Sequence, residues 1–226
     1  MIELYSDATP NGLKISIALE ELGLEYKVHR VYLGGDQFTE SFTKMNPNNK
    51  IPVIVDNGYT LSESSAILVY LAEKTGQLLP KDINRRSNAL EMLMFQTASF
   101  GPMFGQYLVF AAAWQNKFPD VTKRYLLEVS RLMKVLDKRL EGKSFMAGDE
   151  YTIADIAFLP WVRLCVVHPL GGDLPLQENK NLLSWWERAS SREAVKKGFS
   201  NPPPFPAEQQ FEAFVKATVG LGRLAV

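Results

Sequence analysis

The segment of residues 46–64 constrains the fold of this chain more than any other. Its Asn57-Gly58 pair lies between two short apolar runs, 53–55 and 59–61. Asn-Gly is a strong signal for a tight hairpin turn, so these runs are predicted to pair as antiparallel strands. A polar loop that ends in a proline precedes the first strand, and an acidic residue followed by a serine comes after the second. The segment therefore predicts a sheet edge that is flanked by a loop and by the start of a helix.

The first third of the chain alternates strand and helix patterns. Strands are predicted at 2–5, at 26–33 and in the hairpin, and helices at 10–23, 38–45 and 64–74. The order β-α-β-α-β-β-α predicts a small α/β domain over residues 1–79. This order resembles the thioredoxin-like fold, and the resemblance implies a cis bond between Ile51 and Pro52, with the Ile51 backbone exposed to an extended peptide ligand. A trans proline that only starts the strand is the alternative.

Residues 86–226 carry no alternating strand pattern and are predicted to form an all-helical domain, with 80–85 as a linker. Helices are predicted at 84–110 with an interruption at Gly101-Pro102, and at 121–140, 153–161, 181–190 and 207–218. Thr152 and Asp155 form a capping-box variant before a helix that is apolar nearly all round, so this helix is predicted to be the buried centre of the domain. The proline-rich residues 200–226 are predicted to be an extended C-terminal tail.

Composition excludes several classes of function. The chain has 226 residues, and its 25 basic and 25 acidic side chains give a formal net charge of +0. The chain therefore lacks the basic excess that would indicate nucleic acid or an anionic membrane as a partner. No apolar run approaches the ~20 residues of a membrane span, and the N-terminus does not resemble a signal peptide. The single cysteine, Cys165, excludes an internal disulfide and fits a reducing compartment, so a cytoplasmic location is expected.

The remaining reactive side chains favour structural roles. His29 and His168 are far apart in sequence and lack metal-ligand spacing, so no metal site is expected. Cys165 lies on an apolar helix and is interpreted as a small core residue. Strand alternation favours a core role for Tyr5.

Glu63 and Ser64 have two interpretations. In the first, they form an ordinary helix start, in which Ser64 caps the helix and Glu63 complements the helix dipole. In the second, the hydroxyl and the N–H groups of the helix start bind a carboxylate, and the Glu63 carboxylate binds an ammonium group. The α-amino acid end of a ligand presents both of these charges together.

The segment Thr9-Pro10-Asn11-Gly12 also has two interpretations. Thr9 and Pro10 fit a capped helix start with proline at its first position. Alternatively, the Thr9 hydroxyl, the Asn11 amide and the helix N-terminus face a ligand thiol, whose anion they would stabilise. No cysteine of the protein lies in this segment, so such a thiol would belong to the ligand.

Together these features resemble the cytosolic glutathione transferases over nearly the whole chain. The thioredoxin-like pattern, the helical second part and the capping box carry the resemblance. Three motifs resemble the Nu class, which contains bacterial and fungal enzymes of the disulfide-reductase type. They are Thr9-Pro10-Asn11-Gly12, Asn48-Asn49-Lys50-Ile51-Pro52 and Gly101-Pro102-Met103-Phe104-Gly105-Gln106. The implied architecture is a thioredoxin-like glutathione-binding domain followed by an all-helical domain.

The resemblance assigns the loop and the helix start of residues 46–64 to glutathione. Ile51, before Pro52, is expected to pair with the cysteinyl backbone of the ligand. Glu63 and Ser64 are expected to hold its γ-glutamyl end. Lys50 is expected to reach towards the glycyl carboxylate.

Residues outside this segment complete the site that the resemblance implies. Gln37 is expected near the glycyl carboxylate, and Arg124, on the predicted helix 121–140, is expected to supply positive charge to bound glutathione. Thr9 and Asn11 would face the sulfur and are the expected catalytic residues.

The resemblance implies a glutathione-dependent enzyme whose characteristic activity is the reduction of disulfide bonds through the glutathione thiolate. Conjugation of electrophiles or reduction of peroxides is the alternative within the enzyme class. A module that binds glutathione or a partner without catalysis is the alternative of another class. The expected ligands are glutathione or glutathione disulfide and a second small molecule, with up to two glutathiones in one site. A homodimer is expected because relatives commonly form one, and no nucleic-acid or membrane partner is expected.

Overall fold

The computed structural model of the chain describes residues 1–114, 116–204 and 216, and up to residue 190 its elements follow the predicted order. The first elements are β1 (Ile2–Ser6), α1 (Pro10–Glu21), β2 (Tyr26–Arg30), α2 (Glu40–Met45), β3 (Val53–Asp56), β4 (Tyr59–Ser62) and α3 (Ser64–Thr75). Helices then follow: α4 (Ile83–Phe95), α5 (Gly101–Leu108), α6 (Pro119–Arg139), α7 (Ile153–Val167), α8 (Lys180–Ser190) and α9 (Glu193–Phe199). The predicted class, a thioredoxin-like α/β part followed by a helical part, is confirmed.

The sheet has the strand order β2-β1-β3-β4. β1 pairs with β2 in parallel and with β3 antiparallel, and β3 pairs with β4 antiparallel. The hairpin turn between β3 and β4 has positive φ angles of 51° at Asn57 and 84° at Gly58, as expected for a turn that matches the strand twist. The bond between Ile51 and Pro52, just before β3, is cis as predicted.

The chain divides into two compact units. The first contains Met1–Leu71 and the segment from Glu193 onward, and the second contains Ala72–Arg192. The sequence-predicted domain limits, 1–79 and 86–226, remain predictions.

In the first unit, α1 is enclosed by close backbone contacts. A Cβ on Gly12 would lie 2.2 Å from the carbonyl oxygen of Asp7, so only glycine fits at this point. A Cβ on Gly198, in α9, would lie 2.6 Å from the Cα of Ile17, because α9 packs directly on α1. Just beyond α9, the Asn201 side chain donates a hydrogen bond of 2.7 Å to the Tyr26 hydroxyl on β2.

In the second unit, α7 is the buried centre, as predicted. Every residue from Ile153 to Val162 is buried. At its start, Asp155 accepts hydrogen bonds from the Thr152 N–H at 2.8 Å and the Met146 N–H at 2.9 Å. The Trp185 indole of α8 also donates to Asp155, at 2.8 Å. The capping box therefore ties three segments of this unit together.

Some predicted helix limits were wrong. Residues 84–110 were predicted to be interrupted at Gly101-Pro102, but the helical run continues through two π-helical turns, Gln96–Phe100 and Val109–Ala113. Pro102, which has no N–H to donate to the preceding turn, lies directly after the first of these π-helical turns. The strand predicted at 26–33 ends at Arg30, and the helix predicted at 153–161 extends to Val167. Apart from Lys216, the helix predicted at 207–218 lies outside the described residues.

Candidate functional site

A pocket of about 160 Å³ lies in the first unit. Its walls come from the start of α1, from the loop before β3 and from the start of α3. The residues that line it are Asn11, Asn46, Lys50, Ile51, Pro52, Glu63 and Ser64. All of them except Asn46 are site residues predicted from the sequence, so the structure brings most of the predicted set together.

The loop before β3 is held by the buried side chain of Asn46. Its Nδ2 donates to the carbonyl oxygen of Lys50 at 2.7 Å, and its Oδ1 accepts from the N–H of Asn48 at 3.0 Å. Asn49 adopts a left-handed conformation with φ of 54° within the same turn. Sequence analysis missed this function of Asn46, although an Asx turn before a proline-bounded loop is the signal that indicates it.

The loop presents the backbone of Ile51 to the pocket. Among the described residues, neither the N–H nor the C=O of Ile51 has a backbone hydrogen-bond partner. Its side chain packs on the apolar cluster of Val31, Phe42 and Val53. The side chain thus anchors the residue, and the two polar backbone groups remain available to an extended ligand.

Glu63, and not Ser64, occupies the N-cap position of α3. The helix begins at Ser64, and the carbonyl oxygen of Glu63 accepts the first helical hydrogen bond from Ile67 at 2.9 Å. The interpretation of Ser64 as the cap was therefore wrong. Glu63 has a φ of 69°, a conformation that costs a non-glycine residue about 1–3 kcal/mol and is concentrated at functional sites. The exposed Glu63 carboxylate and the first turn of α3 thus lie together at the pocket.

Lys14 lies behind this wall and was missed by sequence analysis. It is 2% exposed, and its Nζ donates a hydrogen bond of 3.3 Å to the Ser64 Oγ. Burial lowers the pKa of Lys14 to about 7, although the nearby Glu63 carboxylate opposes this shift. The signal in the sequence is weak: a single lysine in a stretch of α1 whose other residues are apolar or small.

The start of α1 positions the residues predicted to face the sulfur. Thr9 is the N-cap, and its Oγ1 accepts a hydrogen bond of 3.2 Å from the Gly12 N–H. Because the hydroxyl accepts in this bond, its hydrogen can still be donated elsewhere. The Asn11 side chain lines the pocket, whereas Thr9 is not among the lining residues. An ion pair of 2.9 Å between Arg30 and the buried Asp7 fixes the loop that leads into α1.

Gln37 and Arg124 are not among the residues that line this pocket. Gln37 is buried, and its Nε2 donates to the carbonyl oxygen of Leu33 at 2.7 Å. Arg124 is exposed on α6 in the second unit, where a cavity of about 480 Å³ is lined by Met103, Asp120, Val121, Arg124 and Tyr125. The predicted roles of both residues remain predictions.

Other reactive side chains lie in surroundings that indicate structural roles. Tyr5 packs on the cluster that contains Val53, and its hydroxyl donates to Glu3 at 3.2 Å. Burial raises the pKa of the Cys165 thiol to about 12, which disfavours its nucleophilic thiolate. Within the described residues, no group of three or more His, Cys, Asp or Glu side chains could hold a metal ion. The helices of the described part include none that is long and apolar enough to cross a membrane.

Two family models match the chain. Residues 8–74 match the N-terminal domain of glutathione S-transferase, and residues 100–193 match its C-terminal domain. The chain belongs to the glutathione transferase family. The family predicted from the sequence is thus confirmed.

The chain is similar to other family members over most of its length. The disulfide-bond oxidoreductase YfcG of Escherichia coli is 43% identical over 203 residues, which cover 86% of this chain and 93% of YfcG. A Pseudomonas fluorescens family member solved with two bound glutathiones has a TM-score of 0.84 and 41% identity, and the match covers 88% of this chain and 92% of that one. A Pseudomonas putida glutathione transferase solved with one glutathione disulfide per subunit has a TM-score of 0.84 and 42% identity, covering 89% and 91% of the two chains. These relatives agree with the resemblance to the disulfide-reductase type.

Proposed function

We propose that this protein reduces disulfide bonds with glutathione as the electron donor. The observation that carries the proposal is the pocket of the first unit, which combines a side-chain amide, an unpaired stretch of backbone and a helix start with an adjacent carboxylate. These groups match the sulfur, the peptide backbone and the α-amino acid end of glutathione. The name of YfcG and the ligands of the two Pseudomonas structures support this assignment.

Each part of the pocket has a proposed ligand group. The start of α3 and the Ser64 hydroxyl bind the γ-glutamyl carboxylate, and Glu63 binds the ammonium group beside it. The N–H and C=O of Ile51 pair with the cysteinyl residue, as a sheet edge pairs with an added strand. Lys50, which is exposed at the rim, attracts the glycyl carboxylate. Gln37 and Arg124 are also proposed to contribute to the binding of glutathione.

Asn11 and Thr9 are proposed to act on the sulfur. The Asn11 amide and the Thr9 hydroxyl can donate hydrogen bonds, and the positive end of the α1 dipole lies beside them. Donors and a helix N-terminus stabilise a thiolate relative to a thiol and so lower the pKa of the bound glutathione. A larger fraction of glutathione is then the reactive nucleophile at neutral pH.

The proposed reaction proceeds in two exchange steps. The glutathione thiolate attacks one sulfur of the substrate disulfide, a mixed disulfide forms, and the other sulfur leaves as a thiolate that takes a proton from water. A second glutathione thiolate attacks the glutathione sulfur of the mixed disulfide, which yields glutathione disulfide and releases the second substrate thiol. Two glutathiones supply the two electrons, and the protein supplies positioning and charge stabilisation.

The proposal extends to the assembly and location of the protein. A second small molecule, the disulfide substrate, would bind next to the glutathione sulfur. We expect a homodimer because family members commonly form one, and a cytoplasmic location because the single cysteine fits a reducing compartment.

A disulfide-reductase assay with glutathione and bis(2-hydroxyethyl) disulfide tests the function. The expected result is glutathione-dependent turnover that exceeds conjugation of an aromatic electrophile and reduction of an organic peroxide. Faster conjugation or peroxide reduction would favour the alternative enzyme activities. Binding of glutathione without turnover of any of the three substrates would favour a non-catalytic module.

The Asn11→Ala variant tests the assigned role at the sulfur. The pKa of bound glutathione, followed by the ultraviolet absorbance of the thiolate, should rise, and reductase turnover should fall by about tenfold to a hundredfold because one donor is lost. Asn84→Ala, at an exposed asparagine of α4, is the matched control and should behave as the wild type. An unchanged titration together with unchanged turnover in Asn11→Ala would refute the role.

A further inference from the structure

Lys14 is an unusual residue for the interior of a protein. It lies within eight consecutive buried residues of α1, Gly12 to Leu19, and its side chain is 2% exposed. Lysine is almost never fully buried unless it is paired, because burial removes the hydration of its charge. A neutral side chain of similar length would fill the same space without this cost, so the presence of lysine calls for a role for its amine.

The amine of Lys14 contacts the pocket wall from behind. Its Nζ lies 3.3 Å from the Oγ of Ser64, which lines the pocket, whereas Lys14 is not among the described lining residues. The Glu63 carboxylate, at the same wall, acts electrostatically on Lys14. Helix α9 also packs on α1, but its charged residues Glu193, Lys196 and Lys197 are exposed to solvent.

The chemistry of an ammonium group fixes the direction of the Lys14–Ser64 hydrogen bond. An ammonium has three donors and no acceptor, so the Ser64 oxygen must accept from it. The Ser64 hydrogen is then directed to another acceptor, and Ser64 lies at the pocket surface where α3 begins. A neutral amine, in contrast, can accept the Ser64 hydrogen and remove it from the pocket.

We propose that Lys14 is a positioning residue that makes Ser64 a hydrogen-bond donor to the α-carboxylate of a γ-glutamyl ligand. The charge of Lys14 also compensates the approach of that carboxylate to the Glu63 carboxylate. Lys14 acts through its hydrogen bond to Ser64 and through its charge, and it does not touch the ligand. This inference rests on the proposed function, since it assumes that the pocket binds glutathione.

The role predicts that the protonation of Lys14 governs carboxylate recognition. Because the pKa of Lys14 is lowered to about 7 by burial, its amine loses its proton just above neutral pH in the absence of ligand. Binding of a carboxylate favours the ammonium form and is coupled to uptake of a proton in this range. Affinity for the carboxylate should therefore weaken as the pH rises from about 7 to about 9.

A thermodynamic cycle with two ligands and two proteins measures the coupling between Lys14 and the α-carboxylate of the ligand. The first ligand is S-methylglutathione, whose sulfur cannot ionise, and the second is S-methyl-γ-aminobutyryl-cysteinylglycine, which lacks only the α-carboxylate. The proteins are the wild type and Lys14→Met, with affinities measured by calorimetry at about pH 6.5, below the lowered pKa of Lys14. Ser16→Ala is the control for the helix, because Ser16 is buried two residues away and its hydroxyl has no described hydrogen-bond partner.

The wild type should bind the ligand without the carboxylate roughly tenfold more weakly than S-methylglutathione. Lys14→Met should lose roughly tenfold in affinity for S-methylglutathione and should bind the other ligand as the wild type does. As the pH rises to about 9, the difference between the wild type and Lys14→Met should disappear. Ser16→Ala should match the wild type with both ligands.

Several outcomes overturn the inference. Equal weakening of both ligands by Lys14→Met would mean a purely structural role, and unchanged binding of both would mean no role. If Lys14→Met does not fold, Ser64→Ala decides: its affinity for S-methylglutathione should depend less on pH than that of the wild type, and an unchanged pH profile would refute the inference. A wild type that binds neither ligand would refute the proposed function as well, which separates the two failures.

Discussion

The Nδ2 of Asn46 lies 2.7 Å from the carbonyl oxygen of Lys50 and donates a hydrogen bond to it. Asn46 is 4% exposed, so a buried side chain closes the turn that delivers Ile51 to the pocket. The same side chain accepts from the Asn48 N–H. The backbone geometry of Ile51 thus depends on Asn46, whose side chain makes its hydrogen bonds within the same loop.

Asn46→Ala should loosen this loop. Loss of two hydrogen bonds made by a buried side chain should lower the free energy of unfolding by ~1–3 kcal/mol. The KM for glutathione should rise more than kcat falls, because the change displaces Ile51 and leaves Asn11 in place. Steady-state kinetics and urea denaturation measure both effects. Asn48→Ala, whose side chain is exposed, is the control, and equal effects of the two variants would contradict the prediction.

Gly12→Ala should displace the start of α1. A Cβ there would lie 2.2 Å from the Asp7 carbonyl oxygen and 2.3 Å from the Ser6 Oγ, so the backbone must move. Overpacking of this kind costs ~1–3 kcal/mol or more, and it moves Asn11 as well. Thermal unfolding should detect the loss. A methyl group added at Gly172 would meet no atom within 4 Å, so Gly172→Ala should remain within ~0.5 kcal/mol of the wild type; a similar loss in both variants would rule out the steric explanation.

Asp155→Ala should destabilise the protein by ~3 kcal/mol or more. It removes the cap of α7 and leaves the buried Met146 N–H and the Trp185 indole N–H without their acceptor. Denaturant titration followed by tryptophan fluorescence measures the change. Asp149→Ala, at an exposed aspartate nearby, should have little effect. Comparable stability of the two variants would show that the capping network contributes little.

Stability without ligand should rise with pH because of Lys14. Its folded pKa is lowered to about 7 from 10.5, so between these values the unfolded chain binds a proton that the folded chain does not. The contribution is present in full above the unfolded pKa and is lost as the pH falls through the folded pKa. The free energy of unfolding of the wild type, relative to Lys14→Met, should increase by on the order of 2 kcal/mol from about pH 7 to about pH 9. A difference between the two proteins that stays constant over this range would contradict a lowered pKa.

The sequence predicted those parts of the fold that depend on local chemistry. Asn57-Gly58 determined the hairpin, and Thr152 with Asp155 determined the start of α7, because turns and caps are fixed by neighbouring residues. The helix limits near Gly101 were wrong because π turns depend on tertiary packing. Pro102 follows the π turn Gln96–Phe100 without ending the helical run.

The candidate site was also predicted only in part. Lining residues such as Ile51 and Glu63 were found because their motifs lie at a loop and at a helix start. Asn46 and Lys14 were missed because their functions depend on the burial of their side chains. The burial of one polar residue cannot be recognised from the pattern of residues around it. The position of Glu63 at the N-cap was also missed, since helix starts favour serine there and a glutamate rarely adopts a left-handed φ.

The contact of Gly198 with Ile17 has a consequence for biosynthesis. During translation, α1 leaves the ribosome early, but the helix that covers it is made only after the whole of the second unit. The apolar side of α1 therefore remains uncovered until nearly the entire chain has been synthesised. A nascent chain or a truncated product that ends before Glu193 would expose this surface, which makes it a substrate for chaperones and a source of aggregation.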